Sequence, residues 1–292
     1  MSALELSDYR RLVIKVGSSL LIGADDAVHR GWLEGLAEDI ARLQRAGHEV
    51  LIVSSGAIAI GSSVLGINRR RARLEDLQAA AAAGQVQLVH AWQEALARHD
   101  IAAAQVLLTP EDTENRRRFL NARGTLAKLL ENRVVPVINE NDTVATEEIR
   151  YGDNDRLAAR VAQLVMADGL VLLSDVDGLY TADPGKDESA EHIAEVRSIG
   201  NDILAVAGET RSDIGSGGMA TKVQAARIAT HAGCSTIIAS GKVDHPLAVL
   251  ASGGTCTVFR AAGTPAAARK QWLAGVLDVR GELRLDEGAV QA

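Results

Sequence analysis

Five polar islands, each set where an apolar run ends, constrain this chain more than any single motif. They are Lys15-Val-Gly-Ser-Ser19, Ser54-Ser-Gly-Ala57, Asn139-Glu-Asn-Asp142 with Gly152-Asp-Asn-Asp155, Ser174-Asp175, and Gly215-Ser-Gly-Gly-Met-Ala-Thr-Lys222. The runs before the first four read as buried strands. Parallel α/β sheets bind ligands at the carboxyl ends of their strands, so islands far apart in sequence can share one crevice. Two lysines, several glycines, hydroxyls and carboxylates suit a phosphate donor and a small polar acceptor.

The strand pattern alternates with a helical one. Leu12 to Val16 predicts a first strand; Trp32, Leu36, Ile40 and Leu43 recur at helical spacing and stop before Gly47. A strand at Val50 to Val53, an alanine-rich helix from about Leu74 to Arg98, a strand at Gln105 to Leu108, a helix at Phe119 to Leu130 and a strand at Val134 to Ile138 follow. Thr143 to Arg150 alternates weakly, as a small hairpin would, and a helix runs from about Asp155 to Met166. The second half offers a strand at Leu170 to Leu173, a turn-rich stretch at Asp177 to Pro184, a polar charged segment through Glu195, a helix from Met219 to His231, and strands at Thr236 to Ala239 and Cys256 to Phe259. This rhythm predicts an α/β fold with a mostly parallel central sheet between helices.

Composition narrows the function classes. At 292 residues and 47% hydrophobic content, the chain has ample material for a core of one large or two smaller domains. Aromatic residues make up only 3%, and the net charge is −7, so neither a base-stacking surface nor a general polyanion binder is expected. Nucleic acid is therefore not an expected partner. Cys234 and Cys256 lie too far apart for a CxxC pair, and the seven histidines show no metal-ligand spacing, so no protein-held metal is expected. The first residues lack a basic and apolar leader, and no apolar run reaches the roughly 18 residues that span a bilayer. A cytoplasmic protein with no membrane partner is the expectation.

Lys15 sits within Leu-Val-Ile-Lys-Val, where an unpaired ammonium costs several kcal/mol to bury; it needs an anionic partner or a route to solvent. Gly17-Ser18-Ser19 after it lets backbone amides approach a phosphate. The Gly215 to Lys222 loop opens a helix, so its amides and dipole favour an anion, with Lys222 adding a point charge. It lacks the Gly-Lys-[Ser/Thr] ending of a Walker loop, and its match to the dinucleotide pattern comes too late in the chain. Asp153 or Asn154 is expected to cap the following helix, yet two acid-amide clusters around a short hairpin exceed what capping requires. An acceptor carrying an ammonium group would use them. No Gly-x-Ser-x-Gly elbow surrounds Ser54 or Ser55, which argues against a hydrolase nucleophile.

Taken in order, these segments resemble the glutamate 5-kinases of the amino-acid kinase family over about Leu12 to Trp272. The resemblance rests on Val-Ile-Lys15-Val-Gly-Ser, Val-Ser-Ser55-Gly-Ala-Ile, Phe119-Leu-Asn-Ala-Arg, Pro136-Val-Ile-Asn-Glu-Asn-Asp142, Tyr151-Gly-Asp-Asn154-Asp155, Asp177-Gly-Leu-Tyr-Thr-Ala-Asp-Pro184 and Gly217-Gly-Met-Ala-Thr-Lys222. It implies the amino-acid kinase fold and ATP-dependent phosphorylation of the L-glutamate side-chain carboxylate, the first step of proline biosynthesis. By position it implies Lys15, Lys222 and Asp155 as catalytic. It implies Lys15, Ser174, Asp175, Ser216, Gly217, Gly218, Met219, Ala220, Thr221 and Lys222 around ATP, and Ser55, Asp142 and Asn154 around glutamate. It further implies Mg²⁺, a homodimer or homotetramer, proline as a feedback inhibitor, and a glutamyl phosphate reductase as a possible partner. Residues 1–260 form the expected kinase domain; 261–292 resemble the start of a PUA domain that is truncated or missing. Three alternatives stay open: a relative with another acceptor (N-acetylglutamate, aspartate or a nucleoside monophosphate), a catalytically silent glutamate or proline sensor, and, third, a nicotinamide dehydrogenase.

Overall fold

The structure is a computed structural model that describes residues 6–23, 27–144, 153–208 and 218–268. The strands are β1 (Arg11–Val16), β2 (Glu49–Ser54), β3 (Ala103–Leu108), β4 (Val135–Glu140), β5 (Gly169–Ser174), β6 (Leu179–Tyr180), β7 (His192–Ile193), β8 (Glu195–Val196), β9 (Ser235–Ser240) and β10 (Cys256–Phe259). The helices are α1 (Ser18–Leu21), α2 (Arg30–Arg45), α3 (Ala57–Leu65), α4 (Leu74–Ala97), α5 (Pro110–Glu114), α6 (Arg116–Glu131), α7 (Asp153–Val165), α8 (Asn201–Val206), α9 (Met219–His231) and α10 (Pro246–Ala251).

Eight strands form one sheet in the order β3-β4-β2-β1-β5-β9-β10-β8, and β6 pairs with β7 in a separate hairpin. The pairs from β3 to β9 are parallel, while β10 runs antiparallel to β9. The sheet is sandwiched because its strands are apolar on both faces. In β1, Leu12, Ile14 and Val16 join one core with Trp32, Leu36 and Ile40 of α2 and Leu88 and Trp92 of α4. Val13 joins the other core with Ala158, Val161 and Ala162 of α7 and Val223 and Ala226 of α9. The same period of two sends Val171 and Leu173 of β5 one way and Leu170 and Leu172 the other.

Local signals set the helix ends and their closest packing. Gly47 stops α2 with φ +94°, its N–H donating to Gln44 O while that of His48 donates to Leu43 O, a Schellman pair. Helices α3 and α4 cross with backbones in contact: a Cβ on Gly61 would fall 1.7 Å from Ala80 O, and one on Gly84 would fall 1.9 Å from Ala57 O. Helix α3 itself was hidden from the sequence reading, as were α10 and the pairing of β6 with β7 inside the turn-rich stretch. The sheet does not end on Cys256–Phe259, because Glu195–Val196 from the polar charged segment adds a further, parallel strand beside it. The expected hairpin at Thr143 to Arg150 lies almost wholly outside the described residues, as do Gly215 to Gly217 and the tail from 269 onward.

Candidate active site

The carboxyl ends of the parallel strands gather the islands along one edge of the sheet. Val16 at the end of β1 lies opposite Ser54 at the end of β2, and Ser174 of β5 lies opposite Ser240 of β9. By strand alternation Lys15 leaves the sheet on the Val13 face, beneath α7 and α9, whose first turns start at this edge.

Three charged side chains meet there. Lys15 Nζ lies 2.6 Å from Asp155 Oδ1, and Lys222 Nζ lies 3.4 Å from Asp155 Oδ2. The Asp155 side chain is fully buried and those of the two lysines nearly so. The anionic partner that Lys15 requires is therefore Asp155, third residue of α7. Thr221 Oγ1 also donates to Asp155 Oδ2, at 3.0 Å. One carboxylate is thus shared by two ammonium groups where α7 and α9 point their N-termini, and the Asp175 carboxylate also acts on Lys222. Burial, reinforced by the neighbouring Lys15 charge, lowers the pKa of Lys222 below the ordinary lysine range, and Asp155 opposes that shift.

A cavity of about 950 Å³ opens beside this cluster, at the upper bound for a small-ligand pocket. Its walls come from the Asp175 to Tyr180 loop, Ala239 and Ser240 after β9, Met219 of α9, and Pro246, Val249 and Leu250 of α10. Asp175 and Met219 connect the cavity with the lysine cluster, and Ser174 Oγ donates to Asp175 Oδ1 at 3.0 Å. Gly218 directly precedes α9, while Ala220 lies in its first turn. Ser216 and Gly217 lie outside the described residues. The α10 wall was missed because its aliphatic residues carry no polar signature.

A second group lies at the ends of β2 and β4. Asn154 Nδ2 donates to Ser55 Oγ at 2.7 Å and to Asn139 Oδ1 at 3.1 Å. Asn154 therefore does not cap α7 with its side chain: its Oδ1 is buried without a partner among the described residues. Asp142 is buried two residues beyond β4. Asn139 and Gln85, which also belong to this group, were not singled out as site residues; an amide within an apolar helix face was the available signal.

Comparison with known proteins identifies the lineage. The family model described as "Amino acid kinase family" matches residues 10–240. This chain belongs to the amino acid kinase family. Among curated relatives of this amino acid kinase, a glutamate 5-kinase from Rhodopseudomonas palustris (strain BisB5) is 58% identical over 294 residues, covering 100% of this chain and 78% of the relative. A glutamate 5-kinase from Bradyrhizobium diazoefficiens is 55% identical over 293 residues, covering 100% of this chain and 79% of the relative. Of solved amino acid kinase neighbours, carbamate kinase from Giardia lamblia bound to AMP-PNP superposes with a TM-score of 0.61 at 17% identity, over 87% of this chain and 99% of its own. UMP kinase from Ureaplasma parvum gives 0.60 at 16%, over 86% and 98%. At those identities the two structures show the shared fold alone.

Proposed function

We propose that this amino acid kinase transfers the γ-phosphoryl group of ATP to the side-chain carboxylate of L-glutamate, giving γ-glutamyl phosphate and ADP in the first step of proline biosynthesis. The observation that carries the reading is the Lys15–Asp155–Lys222 cluster beside a nucleotide-sized cavity. An oxygen of the acceptor carboxylate forms the new P–O bond as the bond to the β-phosphate oxygen breaks, so no proton has to be removed from the nucleophile.

The difficulty is electrostatic, since two anions must approach and charge must be spread over the transferring group. Lys15 and Lys222 meet that demand as preorganised cations, and Asp155 holds both so that they need not reorganise. Amides at the start of α9, from Gly218 through Thr221, complete the phosphate site, while Ser174 and Asp175 contact the nucleotide. Ser55, Asp142 and Asn154 hold glutamate, with acidic Asp142 paired to its ammonium.

The donor set fits a magnesium ion carried by the nucleotide. Asp155, the buried carboxylate at the centre, is already shared by Lys15, Lys222 and Thr221, leaving phosphate oxygens and water as the metal's ligands. When bound, Mg²⁺ supplies charge neutralisation across the phosphoryl oxygens. A homo-oligomeric assembly, inhibition by proline and delivery of the labile acyl phosphate to a reductase belong to the same proposal. Among the described residues no helix is long and apolar enough to cross a membrane, and we place the reaction in the cytoplasm.

The test is product trapping with Mg-ATP, hydroxylamine and L-glutamate, with N-acetylglutamate and aspartate as control acceptors. Glutamate-dependent hydroxamate and ADP are expected. Neither product from any acceptor, in a folded sample that binds ATP, would replace catalysis with amino-acid sensing.

A further inference from the structure

Four polar side chains from two helices, a strand and a turn form one directional file at the acceptor side of the site. Asn139 Nδ2 donates to Gln85 Oε1 at 2.9 Å; Asn154 Nδ2 donates to Asn139 Oδ1 at 3.1 Å and to Ser55 Oγ at 2.7 Å. Gln85 and Asn139 are 8% and 3% exposed, so water has little access to reorganise them. Direction matters because an amide turned by 180° keeps its shape but exchanges donor and acceptor.

Counting protons along the file shows what it leaves for a ligand. Both N–H groups of Asn154 are used, so only its buried, unpartnered Oδ1 is left, and it is an acceptor. Ser55 Oγ has accepted from Asn154, so its own hydroxyl proton is left to donate. An acceptor and a donor on adjoining side chains match the ammonium and carboxylate of an α-amino acid. In this arrangement Gln85 Oε1 accepts from Asn139 Nδ2, which leaves Asn139 Oδ1 to accept from Asn154. Gln85 Nε2 is itself buried with no partner among the described residues. Such an orphaned buried donor is destabilising and calls for an explanation.

We propose that Gln85 is a positioning residue that sets the donor–acceptor polarity of the amino-acid site through Asn139 and Asn154. The proposal rests on Ser55 and Asn154 being acceptor-binding residues. Gly84 supports the arrangement by bringing α4 into backbone contact with Ala57, the first residue of α3 after the Ser55 turn.

Steady-state kinetics with L-glutamate and ATP varied separately test it. Gln85→Met removes the acceptor at similar volume and should raise the glutamate KM by about tenfold, the measure of one buried hydrogen bond, with the ATP KM within about twofold. Gln85→Glu retains an acceptor and should return the glutamate KM to within about threefold of the parent. Should Gln85→Met fail to fold, Gln85→Asn withdraws the acceptor by one methylene and takes its place with the same expectation. Equal rises in both KM values, or no rescue by Gln85→Glu, would overturn the positioning role and leave Gln85 a packing residue. Asn154→Ala separates the two levels of the argument. A raised glutamate KM there, with none in Gln85→Met, rejects the relay but keeps the acceptor site, whereas no rise in Asn154→Ala rejects the acceptor site itself.

Discussion

Lys222 concentrates the electrostatics of the site in one side chain. Its ammonium is buried, close to a second ammonium, and held by a carboxylate shared with that neighbour. Because its pKa is lowered, chiefly by burial, the free enzyme loses this proton at a pH below the usual 10.5 of lysine. We expect kcat/KM for ATP to fall on the alkaline side as the cation disappears. Bound phosphates favour the charged form, so the corresponding fall in kcat should lie at higher pH. Lys222→Arg, whose guanidinium stays charged, should move the alkaline limb upward; an unmoved limb would assign the titration to another group. The sign for folding is opposite: between the lowered pKa and 10.5 the unfolded chain binds more protons, so this residue makes stability rise with pH. Removing the cation altogether, in Lys222→Ala, should lower kcat by at least about a hundredfold. Near-normal turnover in a folded variant would remove Lys222 from the chemistry.

Helices set where these groups stand, and two contacts show how. Gly84 has no room for a side chain, since a Cβ there would meet Ala57 O at 1.9 Å. Gly84→Ala should therefore separate α3 from α4 and destabilise the protein by ~1–3 kcal/mol or more in denaturant unfolding. Unchanged stability would mean that this crossing is looser than its geometry. At the cavity proposed for the nucleotide, the positioning contact is Asp39 of α2, whose side chain is almost fully buried. Its Oδ2 accepts from the backbone N–H groups of Leu247 and Ala248 at 3.0 and 3.3 Å, and its Oδ1 lies 3.2 Å from His245 Nδ1. Asp39 thus caps α10, one wall of the cavity, from another helix. Asp39→Ala should orphan those donors, lower stability by ~1–3 kcal/mol and raise the ATP KM while sparing the glutamate KM. Equal effects on both substrates would indicate general loosening.

At the scale of the whole molecule, the cavity proposed for the nucleotide lies between parts distant in the chain, so occupancy should couple to global stability. A non-hydrolysable ATP analogue at about a hundred times its Kd should add about 2.7 kcal/mol. At roughly 2.1 cal/mol/K of unfolding entropy per residue, a chain of 292 residues turns that into about 4 °C in Tm. No shift in a folded sample would mean that the cavity is not a nucleotide site. The strand and helix rhythm was legible in the chain because period-two and helical-period burial are local properties, and most predicted strands lie within a residue or two of those observed. The islands at strand ends were legible for the same reason: a parallel strand stops being apolar where it leaves the sheet. The chain also shows that Lys15 inside an apolar run needs a countercharge or a route to solvent. Only the tertiary structure decides that Asp155 is its partner, that Asn154 spends both N–H groups beside Ser55 instead of capping α7, and that ordinary aliphatic residues of α10 wall the cavity. These outcomes depend on which strands become neighbours and how closely helices cross, and such long-range contacts leave no periodic mark on the residues that make them.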